Sequence, residues 1–443
     1  MNRRSRRASA FAAIAALVVI TPTLGDAAVV PFLALAGLFL FGIRDGEWFE
    51  TLALPGDREA ERLYGIGAFS LALAGLAAFA TWPRVPLPFG AFAAAALAVG
   101  GGRVGRAAFG RRFDGEFELA GGYLVGAGLA AIAGQTAITL VAGDITPDGV
   151  AEALPVFTFL GAVAALTAAL IRSLVYDRDA HLTVVIVALV VWGFMTMDPT
   201  VSALGIGVGL AVTVGLGYVS YALGAASVPG MLTGVLLALL TVVLGGSGWF
   251  LVLITFYSIG ALASKYRFDE KADRGVAQEN EGARGIGNVL ANSAVALVAL
   301  LGYAATDHVD IPATVFALAF AGAFATALAD TLSSEIGGLF DGPRLITTLR
   351  RVEPGTDGAV TWQGELAGLF GAVLIGAIAG ASMPVGDPVV GGAVVAAAGV
   401  GGMTVDSLLG AVIEGGRIGN QTVNFLATVS GAAVAVVVGI TLV

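Results

Sequence analysis

The chain has 443 residues, of which 57% are apolar and only 12% charged, with 64 glycines and a net charge of −9. That charged share is about half the usual one for a soluble domain. It excludes a cytosolic globular enzyme, a nucleic-acid-binding protein and a disordered chain, and it leaves a multi-pass protein of the cell membrane. With no cysteine, disulfides, thiolate metal sites and cysteine nucleophiles are excluded as well.

The chain opens with Arg3, Arg4, Arg6 and Arg7 before an apolar run. Secretory signal peptides share this pattern, but a second run at 27–43 follows at once, so a retained first helix is expected. A transmembrane helix needs about 20 mostly apolar residues. On that criterion spans are expected near 9–24, 27–43, 63–81, 87–101, 119–142, 150–171, 181–197, 200–223, 230–246, 248–264, 286–305, 311–329, 362–382, 387–405 and 422–441. The expected fold is an all-α, polytopic transmembrane bundle of about 15 spans, with the N-terminus inside and the C-terminus outside. That topology puts 22 of the 23 cations on the inner side, leaving Arg84 as the exception, as the positive-inside rule requires. Residues 1–198, with about seven spans, read as an accessory transmembrane domain. Residues 199–443, with about eight, read as the core.

Only Lys265 and Lys271 are lysines. An acidic, lysine-poor composition suits a salt-loving, archaeal type of source; a GC-rich genome has the same effect on lysine. Gly205-Ile206-Gly207-Val208-Gly209 lies inside a span with no strand before it, and so reads as close helix packing and not as a nucleotide loop.

Three inner segments of the second half hold most of the polar chemistry. They are 264–292, 329–358 and 406–427. Parts of them repeat: Glu281-Gly-Ala-Arg-Gly-Ile-Gly-Asn288 resembles Glu414-Gly-Gly-Arg-Ile-Gly-Asn420, Asn288-Val-Leu-Ala291 resembles Asn424-Phe-Leu-Ala427, and Asp330-Thr-Leu resembles Asp406-Ser-Leu. Each pair falls on one side and runs the same way, which suggests a parallel internal repeat around a shared inner site. Asp330 and Asp406 each follow a long uncharged stretch, where an ionisable group is costly and functional by default. Glu335, five residues after Asp330, sits roughly 140° away on an ideal helix. The two converge only if the helix unwinds near Ser333-Ser334. Hard oxygen donors suit Mg²⁺, and Arg344, Arg350, Arg351, Arg284, Lys265 and Arg267 lie close behind them as phosphate-binding candidates. His181 and His308 fall on opposite sides, which leaves no paired-His site and no Ser/His/Asp arrangement. There is no Walker loop or kinase Gly-loop.

The series Tyr266-Arg267-Phe268, Asn288-Val-Leu-Ala-Asn292, Ala329-Asp-Thr-Leu-Ser-Ser-Glu-Ile-Gly337, Pro343-Arg-Leu-Ile-Thr-Thr348, Pro354-Gly-Thr-Asp-Gly-Ala-Val-Thr361, Asp406-Ser-Leu-Leu-Gly-Ala411 and Val423-Asn-Phe-Leu-Ala-Thr428 resembles, in order, a widespread integral-membrane family. That family is catalogued as a numbered domain of unknown function, and its plant member is the chloroplast phytyl-phosphate kinase. The match covers about 199–443. The resemblance implies phosphorylation of an isoprenyl monophosphate by a nucleoside triphosphate, CTP or ATP. By role it implies Asp330, Glu335 and Asp406 as catalytic and Mg²⁺-binding residues. Lys265, Arg267, Arg284, Arg344 and Arg350 would hold phosphates, with Asn288, Asn292, Asn420 and Asn424 orienting them. The expected partners are the bilayer, an isoprenyl phosphate and a nucleotide, with no nucleic acid. Residues 102–113 are faintly similar to a segment of the polyprenol kinases, but Arg103 and Arg106 stand where an acid is expected. The competing readings are a carrier of a lipid or anionic solute, which places its carboxylates near the midplane, and a non-catalytic scaffold, whose polar residues point separately into water.

Overall fold

The computed structural model describes residues 3–277, 285–414 and 418–442. It is helical almost throughout and divides into two compact units, Met1–Ile206 and Gly207–Val443.

The first unit holds α1 (Arg3–Ala16), α2 (Thr21–Leu24), α3 (Val29–Gly37), α4 (Gly46–Leu52), α5 (Tyr64–Ala80), α6 (Phe89–Phe109), α7 (Glu116–Ala142), α8 (Val150–Leu174) and α9 (Ala180–Met197). Arg3–Gly42 is one apolar helical stretch of 40 residues, but it does not run straight. Gly25 has φ +51°, and residues on both sides of it reach the same place. Phe11 packs on Phe69 with ring centroids 5.2 Å apart, while Leu40 fills the space left by Gly67. Arg6 meanwhile pairs with Glu47 at 3.2 Å. The chain therefore reverses at Gly25, a backbone state that glycine reaches without steric cost. The expected segments 9–24 and 27–43 are the two arms.

The second unit holds α10 (Ala203–Ala222, whose first turn belongs to the first unit), α11 (Val228–Leu240), α12 (Ser247–Lys265), α13 (Phe268–Asp273), α14 (Ile286–Ala304), α15 (Ala313–Gly337), α16 (Trp362–Ser382), α17 (Pro388–Ile413) and α18 (Asn420–Leu442). Counting Arg3–Gly42 once, twelve helical stretches among the described residues are long and apolar enough to cross a membrane; Tyr64–Ala80 is a shorter apolar helix. Gly205–Gly209 lies inside α10, with Gly209 against Leu239 and Val243.

α15 is the centre of the second unit, packed by α12, α14, α16, α17 and α18. Without a hydrophobic drive between helices in lipid, close packing needs small residues at the contacts. The sequence supplies them: a Cβ on Gly399 would lie 2.9 Å from both Ala325 and Ala372, and one on Gly431 would collide with the Thr326 hydroxyl. Trp249, Phe320, Phe324 and Phe256 form a continuous aromatic row of tilted and edge-on contacts.

Helix caps are explicit in the sequence. Thr361 Oγ1 accepts from the Gly364 amide at the start of α16. Asp387 accepts from Val389 and Val390 ahead of α17 at 3.0 and 2.9 Å, with Pro388 at the first helical position, the arrangement a helix start favours. Between α15 and α16 the chain forms a short antiparallel pair, β1 (Arg344–Leu345) with β2 (Ala359–Val360). Two helices run further than their apolar stretches: α15 continues to Gly337 and α17 to Ile413. Asp330 and Asp406 thus lie about two turns inside their helices, and not at their ends.

Candidate functional site

A cavity of about 360 Å³ opens at the end of the second unit where α15 and α17 finish and α14 and α18 begin. Asp330, Asp406, Asn288, Asn292, Asn420 and Asn424 all line it. Four separate helices bring them together. On α14 and α18 the asparagines recur at i and i+4, which puts each pair on one helix face. The two helix starts lie side by side, since a Cβ on Gly287 would touch the Gln421 amide. Their free N–H groups give this end of the unit a positive backbone potential.

The Asp330 and Asp406 carboxyls lie within hydrogen-bonding reach of each other. Two carboxyls this close, each only partly exposed, need a proton or a cation between them. Asp406 Oδ1, Asn288 Oδ1 and Asn424 Oδ1 are buried with no hydrogen-bond partner among the described residues, a costly condition that a bound ligand relieves. At the rim Glu414 is held by Asn420. Burial, and then the negative charge of Asp357, push its carboxyl above the usual range, with the Asn420 hydrogen bond pulling partly back.

A loop closes one side. Pro354, Gly355, Thr356, Asp357 and Gly358 line the cavity. Gly358 has φ +72°, and a Cβ there would lie 2.4 Å from the Ala411 amide and 2.5 Å from the Ser407 carbonyl oxygen. Only glycine lets this loop sit directly on α17.

The other expected residues are placed elsewhere. α15 stays helical past Ser333-Ser334, so Glu335 points away from Asp330 as the five-residue spacing requires. It is buried and paired with Lys271 at 2.5 Å, and the same ammonium donates to the carbonyls of Ala263 (2.9 Å) and Ser264 (2.7 Å). Arg267 pairs with Glu270, and Arg344 donates to the Leu349 carbonyl at 2.6 Å. The Arg350 carbonyl accepts from the Leu345 amide at 3.0 Å, and Lys265 donates to the Leu223 carbonyl. None of these four cations lines the cavity. Arg284 and Glu281 lie outside the described residues. In the first unit Arg103 lies 4.2 Å above the Phe11 ring and donates to the Asp177 carbonyl.

Among the described residues the cavity wall thus has four acids, Asp330, Asp357, Asp406 and Glu414, and no lysine or arginine. It attracts cations before anions. No group of three or more Asp, Glu or His side chains among the described residues is placed to hold a metal ion. Two carboxylates with amide oxygens, completed by water and phosphate oxygens, are nonetheless a donor set that Mg²⁺ accepts. The unpartnered buried oxygens of Asp406, Asn288 and Asn424 fit that set. Sequence reasoning missed Glu414 and Asp357 as lining residues. The Pro-Gly-Thr-Asp-Gly turn and the repeated Glu-Gly-x-Arg stretch were the available signals.

The integral membrane protein DUF92 family profile matches residues 211–443, a range that contains every residue of the cavity wall. The chain is 34% identical over 205 residues to an uncharacterized membrane protein of Methanocaldococcus jannaschii, covering 44% of this chain and 79% of that one. It is 31% identical over 196 residues to an uncharacterized membrane protein of Synechocystis, covering 43% and 74%. It is also 31% identical over 159 residues to the chloroplastic protein VTE6 of Arabidopsis thaliana, covering 34% and 46%. No solved structure matches the chain. The chain belongs to the DUF92 family of integral membrane proteins.

Proposed function

We propose that this chain is an isoprenyl-phosphate kinase of the membrane, transferring a phosphoryl group from CTP or ATP to an isoprenyl monophosphate. The observation that carries the reading is the convergence of Asp330, Asp406 and four asparagines from four helices on one cavity. A scaffold has no reason to bring unpartnered polar groups together inside a membrane protein. A carrier is less well supported, because Asp330 and Asp406, about two turns inside α15 and α17, still lie short of the midpoints of these 25- and 26-residue helices.

The acceptor needs little activation. The second pKa of a phosphate monoester is about 6, so at neutral pH its oxygen is already an anionic nucleophile. That oxygen bonds to the γ-phosphorus, the bond from γ-phosphorus to the β–γ bridging oxygen breaks, and the nucleoside diphosphate leaves. No proton has to move. When bound, Mg²⁺ supplies charge neutralisation between the phosphate chains. Asp330 and Asp406 would hold that cation, and a wall that has four acids and no lysine or arginine among the described residues would need it before accepting phosphates. Asn288, Asn292, Asn420 and Asn424 orient phosphate oxygens through their amides, assisted by the N-termini of α14 and α18. Glu335 and Lys271 fix the ends of α12 and α15 next to the cavity.

The test is phosphoryl transfer by the purified protein. Geranylgeranyl or phytyl monophosphate, Mg²⁺ and γ-labelled CTP or ATP are expected to give labelled diphosphate. No turnover with any isoprenyl phosphate would favour the carrier.

A further inference from the structure

The acid-walled cavity provides for a phosphate but not for a hydrocarbon chain. A second cavity of about 410 Å³ lies between α10, α11 and α12, within the about 300–1,000 Å³ range of small-molecule sites. Its wall is almost wholly apolar, and Lys265 is its one charged residue among the described residues. Lys265 sits at the last position of α12 and is tied by its ammonium to the Leu223 carbonyl, so the positive charge stands at one end of the groove. Val289 of α14 also lines the groove, while its neighbour Asn288 lines the acid-walled cavity. A single turn of α14 therefore separates the two. Lys271 bonds both Ser264, at the end of α12, and Glu335, at the end of α15. The charged end of the groove and the acid-walled cavity are thus at the same end of the unit. Val219, Leu223 and Leu262 are exposed, which leaves the groove open along its side.

We propose that this groove holds the hydrocarbon chain of the isoprenyl monophosphate, with Lys265 facing its anionic head as the head enters the cavity beyond α14. The assignment rests on the kinase reading for the identity of the head. An apolar slot ending in one cation matches an amphiphile with a single chain and a compact anionic end.

Gly234 gives a direct test. It lines the groove, and a Cβ built on it meets no atom within 4 Å, so Gly234→Phe fills the slot without displacing the wall. The probe is geranylgeranyl monophosphate carrying a diazirine at the far end of its chain, photolysed with the protein in phosphatidylglycerol nanodiscs. Labelled peptides are expected from α10–α12, competed by unlabelled geranylgeranyl monophosphate and not by added phosphatidylglycerol. Gly234→Phe is expected to cut the labelling at least about tenfold, the loss of a few buried methylenes. Lys265→Gln, at an exposed position, provides a second variant if the first does not fold, and is expected to weaken labelling by about threefold. Equal competition by phosphatidylglycerol would mean a seat for bulk lipid and would overturn the proposal. So would even labelling of all lipid-facing helices, or labelling unaffected by both variants. No nucleotide or turnover is needed, so a failure of the kinase reading shows up separately, as groove labelling without diphosphate formation.

Discussion

Asp406 on α17 faces Asp330 on α15, their carboxyls within hydrogen-bonding reach in a cavity whose wall, among the described residues, has four acids. Replacing one carboxyl by an amide ends the need for a proton or cation between the two in the empty protein, and removes a cation ligand from the working one. Asp330→Asn and Asp406→Asn are therefore each expected to keep or raise the melting temperature in detergent. Each should lower phosphoryl transfer by about 10²-fold or more, a size typical of one lost electrostatic contact to a transition state. A melting temperature that falls together with activity would make the pair structural.

The Lys271–Glu335 pair is almost wholly buried. Breaking one side leaves an unpaired charge, so Lys271→Met is expected to cost about 3–5 kcal/mol in unfolding free energy. The double variant Lys271→Met with Glu335→Leu removes both charges and is expected to recover most of that loss. Denaturant unfolding in micelles measures both. A double variant no more stable than the single would show that the pair contributes more than mutual neutralisation.

Gly358 carries the loop onto α17. In Gly358→Ala the new Cβ meets the Ala411 backbone at 2.4 Å, and φ +72° disfavours any side chain. The expected cost is about 1–3 kcal/mol of local strain, absorbed by displacement of residues 354–358. KM for the phosphate acceptor should rise about tenfold with a smaller change in kcat. Unchanged kinetics would remove the loop from the site.

Glu414 gives a pH signature. Its carboxyl titrates above the ordinary glutamate range because of burial and Asp357, so the folded state holds a proton that the unfolded state has released. Stability is fully present below the unfolded pKa and falls as pH rises through the window up to the raised value. Glu414→Gln is expected to flatten unfolding free energy against pH across that window. A wild-type profile that rises there would contradict the assignment.

Much of this was legible in the sequence because charge is scarce in it. Asp330, Asp406 and the four asparagines stood out against apolar runs, and the fifteen apolar segments all recur as helices, two of them as arms of one stretch bent at Gly25. The helical period sets Glu335 apart from Asp330 on a regular helix, so the expected place of Glu335 beside Asp330 needed an unwinding that α15 does not show. The positions of Lys265, Arg267, Arg344 and Arg350 were not legible. Long cationic side chains near membrane ends follow the same inside bias whether they touch a ligand or a carbonyl, and nothing in spacing tells the two apart. The 354–358 loop was missed as a wall because irregular backbone has no period to read. Its docking depends on one glycine's freedom from a side chain.

The most direct measurement is labelled diphosphate formation from geranylgeranyl monophosphate by the wild-type protein and by the Asp330→Asn, Asp406→Asn double variant, with folding of both checked by thermal melting. The wild type is expected to turn over, and the folded double variant to stay at the no-enzyme background. Turnover by the double variant within about threefold of wild type would contradict the placing of the reaction in this cavity.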